Sequence, residues 1–195
     1  MFWLDIAALG VVGILLAVFS PTLKKVGLRG LVMVALLSAL GAASQWALVG
    51  IPGVQLTTPL VILCGMLLGP GAGLMCGVVS QVLNGLVNSL GPWTIWQMLG
   101  MGLVGAFAAY LPKNSDAITK VIPPLYGFVS AFLFGWLTNV STMLWLIGTV
   151  SWGAYLAACT ASFPLDLTHS LNNLALLSVA SIPAMLRKIL PPKAH

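Results

Sequence analysis

The side chains with the clearest potential for chemistry lie near the C-terminal end of the chain. Asp166, His169 and Asn173 stand at i, i+3 and i+7, a spacing that places them on one face of a helix. An acid and an imidazole on a shared face can work as a general acid and base, or they can bind a polar ligand. The structural alternatives are an Asp166–His169 pair that bridges two helices, and an Asp166 that caps the start of its own helix.

A second group of polar side chains has the same spacing. Gln81, Asn84 and Asn88 also stand at i, i+3 and i+7, and Gln97 directly follows Trp96 in a later segment. Further amides and hydroxyls occur in two other segments, at Gln55, Thr57, Thr58, Asn139, Ser141 and Thr142. All of these lie in or beside apolar stretches, where polar groups are costly unless they face protein or water. They are therefore candidates for binding a ligand.

The types of these side chains restrict the ligand. Amides with Trp rings nearby suit an uncharged or zwitterionic molecule that has flat or apolar parts. A hard metal cation would need several carboxylates, so we predict no metal site. The sequence also lacks a Ser or Cys nucleophile motif and the HExxH pattern of zinc enzymes. The chain is therefore predicted to bind its ligand without catalysis, with an enzyme that uses Asp166 and His169 as the alternative.

The composition places these side chains in a membrane protein. Hydrophobic residues make up 59% of the 195 residues and only 6% are charged, against about a quarter in a typical soluble domain. A helix that spans a bilayer needs about 20 apolar residues. The sequence therefore predicts an all-α polytopic membrane protein with a single membrane domain over residues 1–195. Its seven predicted spans are 2–20, 30–49, 57–69, 71–90, 93–111, 121–147 and 164–186.

The first span and the residues before the last span have less clear boundaries than the others. The span 2–20 has Asp5 as its only early charge and no basic n-region, so we interpret it as a retained transmembrane helix. Residues 148–163 are too many for a tight turn. They are expected to form an outer half-helix or to extend the span 121–147. Pro164 is then expected to start the last helix, where its missing N–H costs little.

The basic residues predict the orientation. All eight Lys and Arg fall into three clusters beside apolar spans, at Lys24–Arg29, Lys113–Lys120 and Arg187–Lys193. Such clusters mark the cytoplasmic side of a cell membrane, and seven spans place all three there, together with the C-terminus. The short span 57–69 is needed for this, because without it Lys113 and Lys120 would lie outside. A nucleic-acid partner is not expected, because the net charge of +5 is not gathered into a dense basic face.

The same topology gathers the polar groups in the outer half of the protein. Five Trp residues lie near that face, at Trp46, Trp93, Trp96, Trp145 and Trp152. Trp commonly forms a belt at the lipid headgroups. Five Trp residues on one face exceed what a belt requires. Two alternatives are therefore equally open: all five form the belt, or at least two of them line a pocket.

Small residues recur in the span 30–49. Ala35, Ala39 and Ala43 are spaced four apart, which lets another helix approach closely. From spacing alone, packing inside the bundle is the commoner outcome and a partner surface the rarer one. The chain contains no GxxxxGK[ST] phosphate-binding loop and no intramembrane series of acids. If it transports a ligand, the driving force is expected to come from another subunit.

The chain resembles a known family over residues 30–190. The stretches QLTTPLVILCGMLLGPGAGLMCG and GPWTIWQMLGMGLVGAF, and the closing segment FPLDLTHSLNNLALLSVASIPAML, resemble the substrate-binding S component of energy-coupling factor (ECF) vitamin transporters. Ala35 and Ala39 resemble the AxxxA docking motif of that family. The resemblance implies a six-helix bundle with an outward-facing site and no cofactor of its own. It also implies a transmembrane coupling subunit driven by two ATPases, and an S component that topples in the membrane to release its ligand inside. The helix over 2–20 is an addition to that pattern.

The substrate is the least defined part of the resemblance. The segment around Trp96 and the Asp166-xx-His169 ending are similar to groups associated with cobalamin uptake, so a corrinoid is the first expectation. His169 would then lie near the cobalt, because neutral imidazole is a good ligand. A smaller ring compound, such as a pyrimidine or pyridine vitamin, is the second. A stand-alone facilitator that needs no ATPase is a further alternative.

Overall fold

The computed structural model describes residues 2–113 and 117–179. These residues form seven α-helices and one π-helical segment. The helices are α1 (Phe2–Lys24), α2 (Gly27–Ala47), α3 (Thr57–Leu68), α4 (Pro70–Asn88), α5 (Pro92–Ala108), α6 (Ala117–Ser141) and α7 (Trp152–Ser178), and the π-helical segment is Thr142–Ile147. The predicted all-α bundle of six helices with an additional N-terminal helix is confirmed.

The connections between helices lie where the sequence places Gly and Pro. Gly69 separates α3 from α4 with a positive φ of 98°, and Pro70 begins α4, where its missing N–H costs nothing. Pro92 begins α5 in the same way. The π-helical segment ends at Gly148, with a φ of 73°. Gly69, Pro70 and Pro92 explain why the predicted and observed helix boundaries agree closely between α3 and α4 and at the start of α5.

The short predicted span 57–69 is the helix α3. Its 12 residues extend about 18 Å, less than the roughly 30 Å of a hydrocarbon core. Nine of them are buried, so α3 contacts protein rather than lipid. The irregular stretch 48–56 precedes α3.

The expectation for Pro164 was wrong. Pro164 lies inside α7, which begins twelve residues earlier at Trp152. The hydroxyl of Ser151 starts this helix by accepting a hydrogen bond from the N–H of Ala154, at 3.1 Å. Residues 148–163 therefore do not extend the span 121–147. Most of residues 148–163 are helical, as the half-helix alternative predicted, but this helix is continuous with the last one.

Two of the helices approach each other very closely. A methyl group at Gly73 of α4 would overlap the carbonyl oxygen of Gly105 of α5, and the reverse also holds. Gly65 of α3 meets the same carbonyl, and Gly77 meets that of Met101 one turn away. Contacts of this kind between small residues hold helices together in lipid, where the hydrophobic effect cannot. They form the centre of the bundle.

The structure contains helices suited to a bilayer. Within the described residues, four helices are long and apolar enough to span a membrane: Trp3–Lys24, Gly27–Ala47, Pro70–Asn88 and Val121–Ile147. Lys24, Lys25 and Arg29 lie at the junction of α1 and α2, and Lys113 follows α5. The cluster Arg187–Lys193 and the end of the span 164–186 lie outside the described residues.

Candidate ligand-binding site

A cavity of about 790 Å³ opens among the residues of α2, α5, α6, the π-helical segment and α7. The irregular stretch between α2 and α3 covers one side of it, because residues 48–49 and 51–55 all contribute. Polar lining side chains come from several elements: Gln45, Gln55, Gln97, Thr138, Asn139, Thr142, Ser162, Asp166 and His169. The other lining residues are apolar, including Phe134, Leu146, Ile147 and Leu165. Pockets for small organic ligands have this size and composition.

His169 is held from two sides by neutral groups. Its Nε2 lies 2.9 Å from the hydroxyl of Thr58 on α3 and 3.1 Å from the amide nitrogen of Gln55. Because an amide nitrogen can only donate, Nε2 accepts, and the ring is the neutral form with its proton on Nδ1. The edge of the ring also packs against Phe134, with centroids 6.2 Å apart. The lone pair of Nε2 is therefore occupied by protein donors.

The irregular stretch is fastened to α7 beside this histidine. Asn172 donates a hydrogen bond from Nδ2 to the carbonyl oxygen of Gln55, at 2.7 Å. Gly53 has a φ of 81° and packs so closely on α7 that a Cβ would lie 2.9 Å from the Cβ of Thr168. A larger residue at Gly53 is excluded by both conditions. The irregular stretch that forms this wall of the cavity is thus held against α7 by a hydrogen bond and by close packing.

Asp166 belongs to a separate hydrogen-bond chain. Its carboxylate accepts a hydrogen bond from the hydroxyl of Ser162 at 2.8 Å, and Ser162 accepts one from the amide of Asn139, also at 2.8 Å. A methyl group at Gly135 would overlap the carboxylate, so this glycine gives the acid its room on α6. The hydrogen bonds of Asp166 and His169 therefore go to different partners. The described hydrogen bonds do not pair Asp166 with His169, but His169 does bridge two helices, α7 and α3. Asp166 lies too far inside α7 to cap its start.

A sequence model of the ECF-type riboflavin transporter S component family matches residues 25–184. The chain belongs to this family. S components are the membrane-embedded, substrate-binding subunits of vitamin importers, so the predicted coarse function is confirmed. The assignment to a cobalamin-related group has no such support, because the matching family is the riboflavin one. No curated protein and no solved structure matches the chain significantly.

The S component brings five of its predicted binding residues to the cavity. They are Gln55, Gln97, Asn139, Asp166 and His169, which come from four different parts of the chain. Asn173, on the same face of α7, is fully buried and donates instead to the carbonyl oxygen of Gly127 at 3.1 Å. It joins α7 to α6 below the cavity.

The polar side chains of α4 lie away from the cavity lining. Gln81 is buried in the bundle, with 2% of its surface exposed. Asn84 accepts hydrogen bonds from the indole of Trp46 at 3.2 Å and from Asn88 at 2.6 Å. Asn84 and Asn88 are thus bonded to each other, and none of the three amides is among the residues described as lining the cavity.

None of the five Trp residues predicted to lie near the outer face is among the residues described as lining the cavity. Trp93, Trp145 and Trp152 are exposed, as a belt at the lipid headgroups requires. Trp152 also lines a smaller pocket of about 470 Å³ with Tyr155. Trp96 is buried and donates from its indole to Asp5 of α1, at 2.9 Å.

Several lining residues were not predicted. Ser162 lies in the stretch 148–163, which was not expected to be continuous with the helix of Asp166, so its place one turn before Asp166 was not apparent. Thr138 and Gly135 precede Asn139 on α6 at i−1 and i−4. The i−4 spacing places Gly135 on the same helical face as Asn139, and this spacing could have predicted that Gly135 lines the cavity. Gln45 was not predicted, because in the span 30–49 the small residues, rather than the polar ones, were considered as functional candidates.

Proposed function

We propose that this S component captures riboflavin in the cavity from the outer side of the cell membrane. It then delivers the vitamin inward with a coupling module. The family match supports this substrate. A flavin has a flat ring system with apolar edges, carbonyl and ring-nitrogen groups, and a neutral polyol chain. Such a molecule requires an apolar slot with a few neutral donors and acceptors.

The convergence of neutral polar groups in an otherwise apolar cavity carries the proposal. Gln45, Gln55, Gln97 and Asn139 offer amides from separate elements, and Thr138 and Thr142 add hydroxyls. The cavity volume of about 790 Å³ lies within the usual range of about 300–1,000 Å³ for small-molecule sites. A corrinoid is a bulkier macrocycle. The Nε2 atom proposed to face its cobalt is held by Thr58 and Gln55.

A binding titration tests the substrate directly. The protein is purified in detergent and titrated with riboflavin by flavin fluorescence quenching, with cobalamin measured in parallel. We expect saturable, stoichiometric binding of riboflavin and none of cobalamin. Gln97→Ala should weaken riboflavin binding about tenfold or more, because it removes a polar contact inside the site. Asn88→Ala is the matched control, since Asn88 is an exposed amide outside the cavity lining. Absence of riboflavin binding by the unmodified protein would contradict the proposal.

The partners and the orientation are part of the same proposal. Ala35, Ala39 and Ala43 form an exposed stripe along α2, so these residues do not pack inside the bundle as spacing alone favoured. We assign the stripe to contact with a transmembrane coupling subunit, itself driven by two ATPases. The basic junctions at Lys24–Arg29 and Lys113–Lys120 then face the cytoplasm. Recovery of the vitamin chemically unchanged after binding and release would separate this role from catalysis.

A further inference from the structure

The helix α1 lies outside the family match, which begins at residue 25, directly after α1 ends at Lys24. It is nevertheless built into the bundle. Ala8 and Val12 are buried in one apolar cluster with Trp96 and Leu144, and α1 packs against α4 and α5. At its other end, the hydroxyl of Thr22 accepts a hydrogen bond from the backbone N–H of Gly71, at 3.0 Å. An added helix with this much contact has a definite position on the protein.

Asp5 is the one acid of α1, and it is buried with 5% of its surface exposed. Its Oδ1 accepts a hydrogen bond from the indole of Trp96 at 2.9 Å and a longer one from the indole of Trp145 at 3.5 Å. Its Oδ2 has no hydrogen-bond partner among the described residues. A buried acid in an apolar helix is costly, and such groups are retained mostly where they have a role.

The two indoles lie on elements that form the walls of the cavity, although neither ring lines it. Trp96 directly precedes Gln97 on α5, and Gln97 lines the cavity. Trp145 lies in the π-helical segment Thr142–Ile147, whose Thr142, Leu146 and Ile147 line it too. A π-helix is less stable than an α-helix and depends on contacts from outside the segment. Asp5 supplies such a contact.

We propose that Asp5 is a positioning residue which fastens the π-helical segment to α5 and thereby slows the escape of ligand from the cavity. Loss of the carboxylate frees Trp145 and lets the segment move away from Gln97. The ligand part of this inference rests on the proposed function, since it takes the cavity as the binding site. The fastening itself does not depend on which ligand binds.

Dissociation kinetics test the ligand part. Riboflavin is displaced from the detergent-purified protein by an excess of non-fluorescent competitor, and its release is followed by stopped-flow fluorescence. Asp5→Ala should speed release about tenfold, because it removes the acceptor of both indole hydrogen bonds. Asp5→Asn should restore slow release, because its amide oxygen still accepts from both indoles.

Thr22→Val is the matched control, because it removes a different hydrogen bond between α1 and the bundle, and Thr22 is not among the residues described as lining the cavity. It should lower the melting temperature and leave the release rate unchanged. Equal acceleration by Thr22→Val would show that α1 acts through stability alone and would overturn the proposal. Unchanged release in Asp5→Ala would overturn it as well.

Hydrogen exchange tests the fastening without any ligand. Backbone amides of residues 142–147 should exchange faster in Asp5→Ala than in the unmodified protein, and Asp5→Asn should remain protected. If riboflavin does not bind the unmodified protein, the proposed function fails while this measurement still decides the fastening. Equal protection of the segment in both proteins would refute the role of Asp5 directly.

Discussion

At the scale of single residues, the cavity combines many neutral donors with one acid. Among the cavity-lining residues that the structure describes, Asp166 is the one carboxylate, and none is Lys or Arg. Asp166 is 6% exposed, and its ordered hydrogen bond comes from a neutral hydroxyl, that of Ser162. Among the described lining residues the carboxyl group of Asp166 has no basic neighbour, and a bound phosphate would have none either. The site is therefore suited to a neutral vitamin and unsuited to a phosphate ester of the same vitamin.

This charge pattern predicts discrimination between riboflavin and flavin mononucleotide. No basic side chain in the described lining offsets a phosphate, and an ionised Asp166 would repel it by up to about 4 kcal/mol at 4 Å. The phosphorylated form should therefore bind at least tenfold more weakly. Asp166→Asn should reduce the difference in affinity between riboflavin and flavin mononucleotide by about tenfold. It should change the affinity for riboflavin less than the affinity for flavin mononucleotide. Titration of both flavins into both proteins measures these affinities. Asn88→Asp is the control, because it adds an acid outside the cavity lining. Equal affinity of the unmodified protein for both flavins would contradict the argument.

At the scale of helices, the sequence predicted where elements lie better than which side chains meet. Apolar length, together with Gly69, Pro70 and Pro92, placed the ends of the early helices closely. It failed at Pro164, because a proline that commonly begins helices also occurs inside one when neighbouring segments compensate for the lost hydrogen bond.

The candidate site could be predicted from spacing only in part, for a physical reason. Periodicity shows that Asp166, His169 and Asn173 share a face of α7, but not which helix each one meets along that face. Two of them reach the cavity, while Asn173 reaches the carbonyl oxygen of Gly127. Likewise, Gln81 points into the bundle, away from the cavity lining. Contacts between distant segments, such as Gln55 with His169, have no local signature in the sequence.

The crossing of α4 and α5 makes a prediction about stability. Gly105→Ala should lower stability by about 1–3 kcal/mol, because its methyl would overlap the carbonyl oxygen of Gly73 and the helices must separate. Gly13→Ala, on an open part of α1 with no atom within 4 Å of its added Cβ, should be neutral or slightly stabilising. Thermal unfolding in detergent compares the two. A Gly105→Ala protein as stable as the Gly13→Ala control would show that the crossing is looser than the structure indicates.

At the scale of the whole molecule, the added helix and the exposed Ala stripe occupy different surfaces. α1 packs against α4 and α5, whereas Ala35, Ala39 and Ala43 lie exposed on α2. The additional helix therefore leaves the proposed docking face open. Cavity and stripe are also distinct, since none of the three alanines is among the described cavity-lining residues. Binding of the vitamin and docking of the coupling subunit should accordingly be separable by substitution.

A bulky side chain on the stripe tests that separation. Ala39→Trp should abolish ATP-driven riboflavin uptake in the host cell, because the added ring keeps the coupling subunit from approaching α2. It should leave riboflavin affinity in detergent within about twofold of the unmodified protein, since a surface substitution away from the cavity has little effect on it. Leu133→Trp is the matched control, placed on an exposed site of α6, and uptake should survive there. Uptake that persists in Ala39→Trp, or that fails equally in both proteins, would place the docking face elsewhere on the molecule.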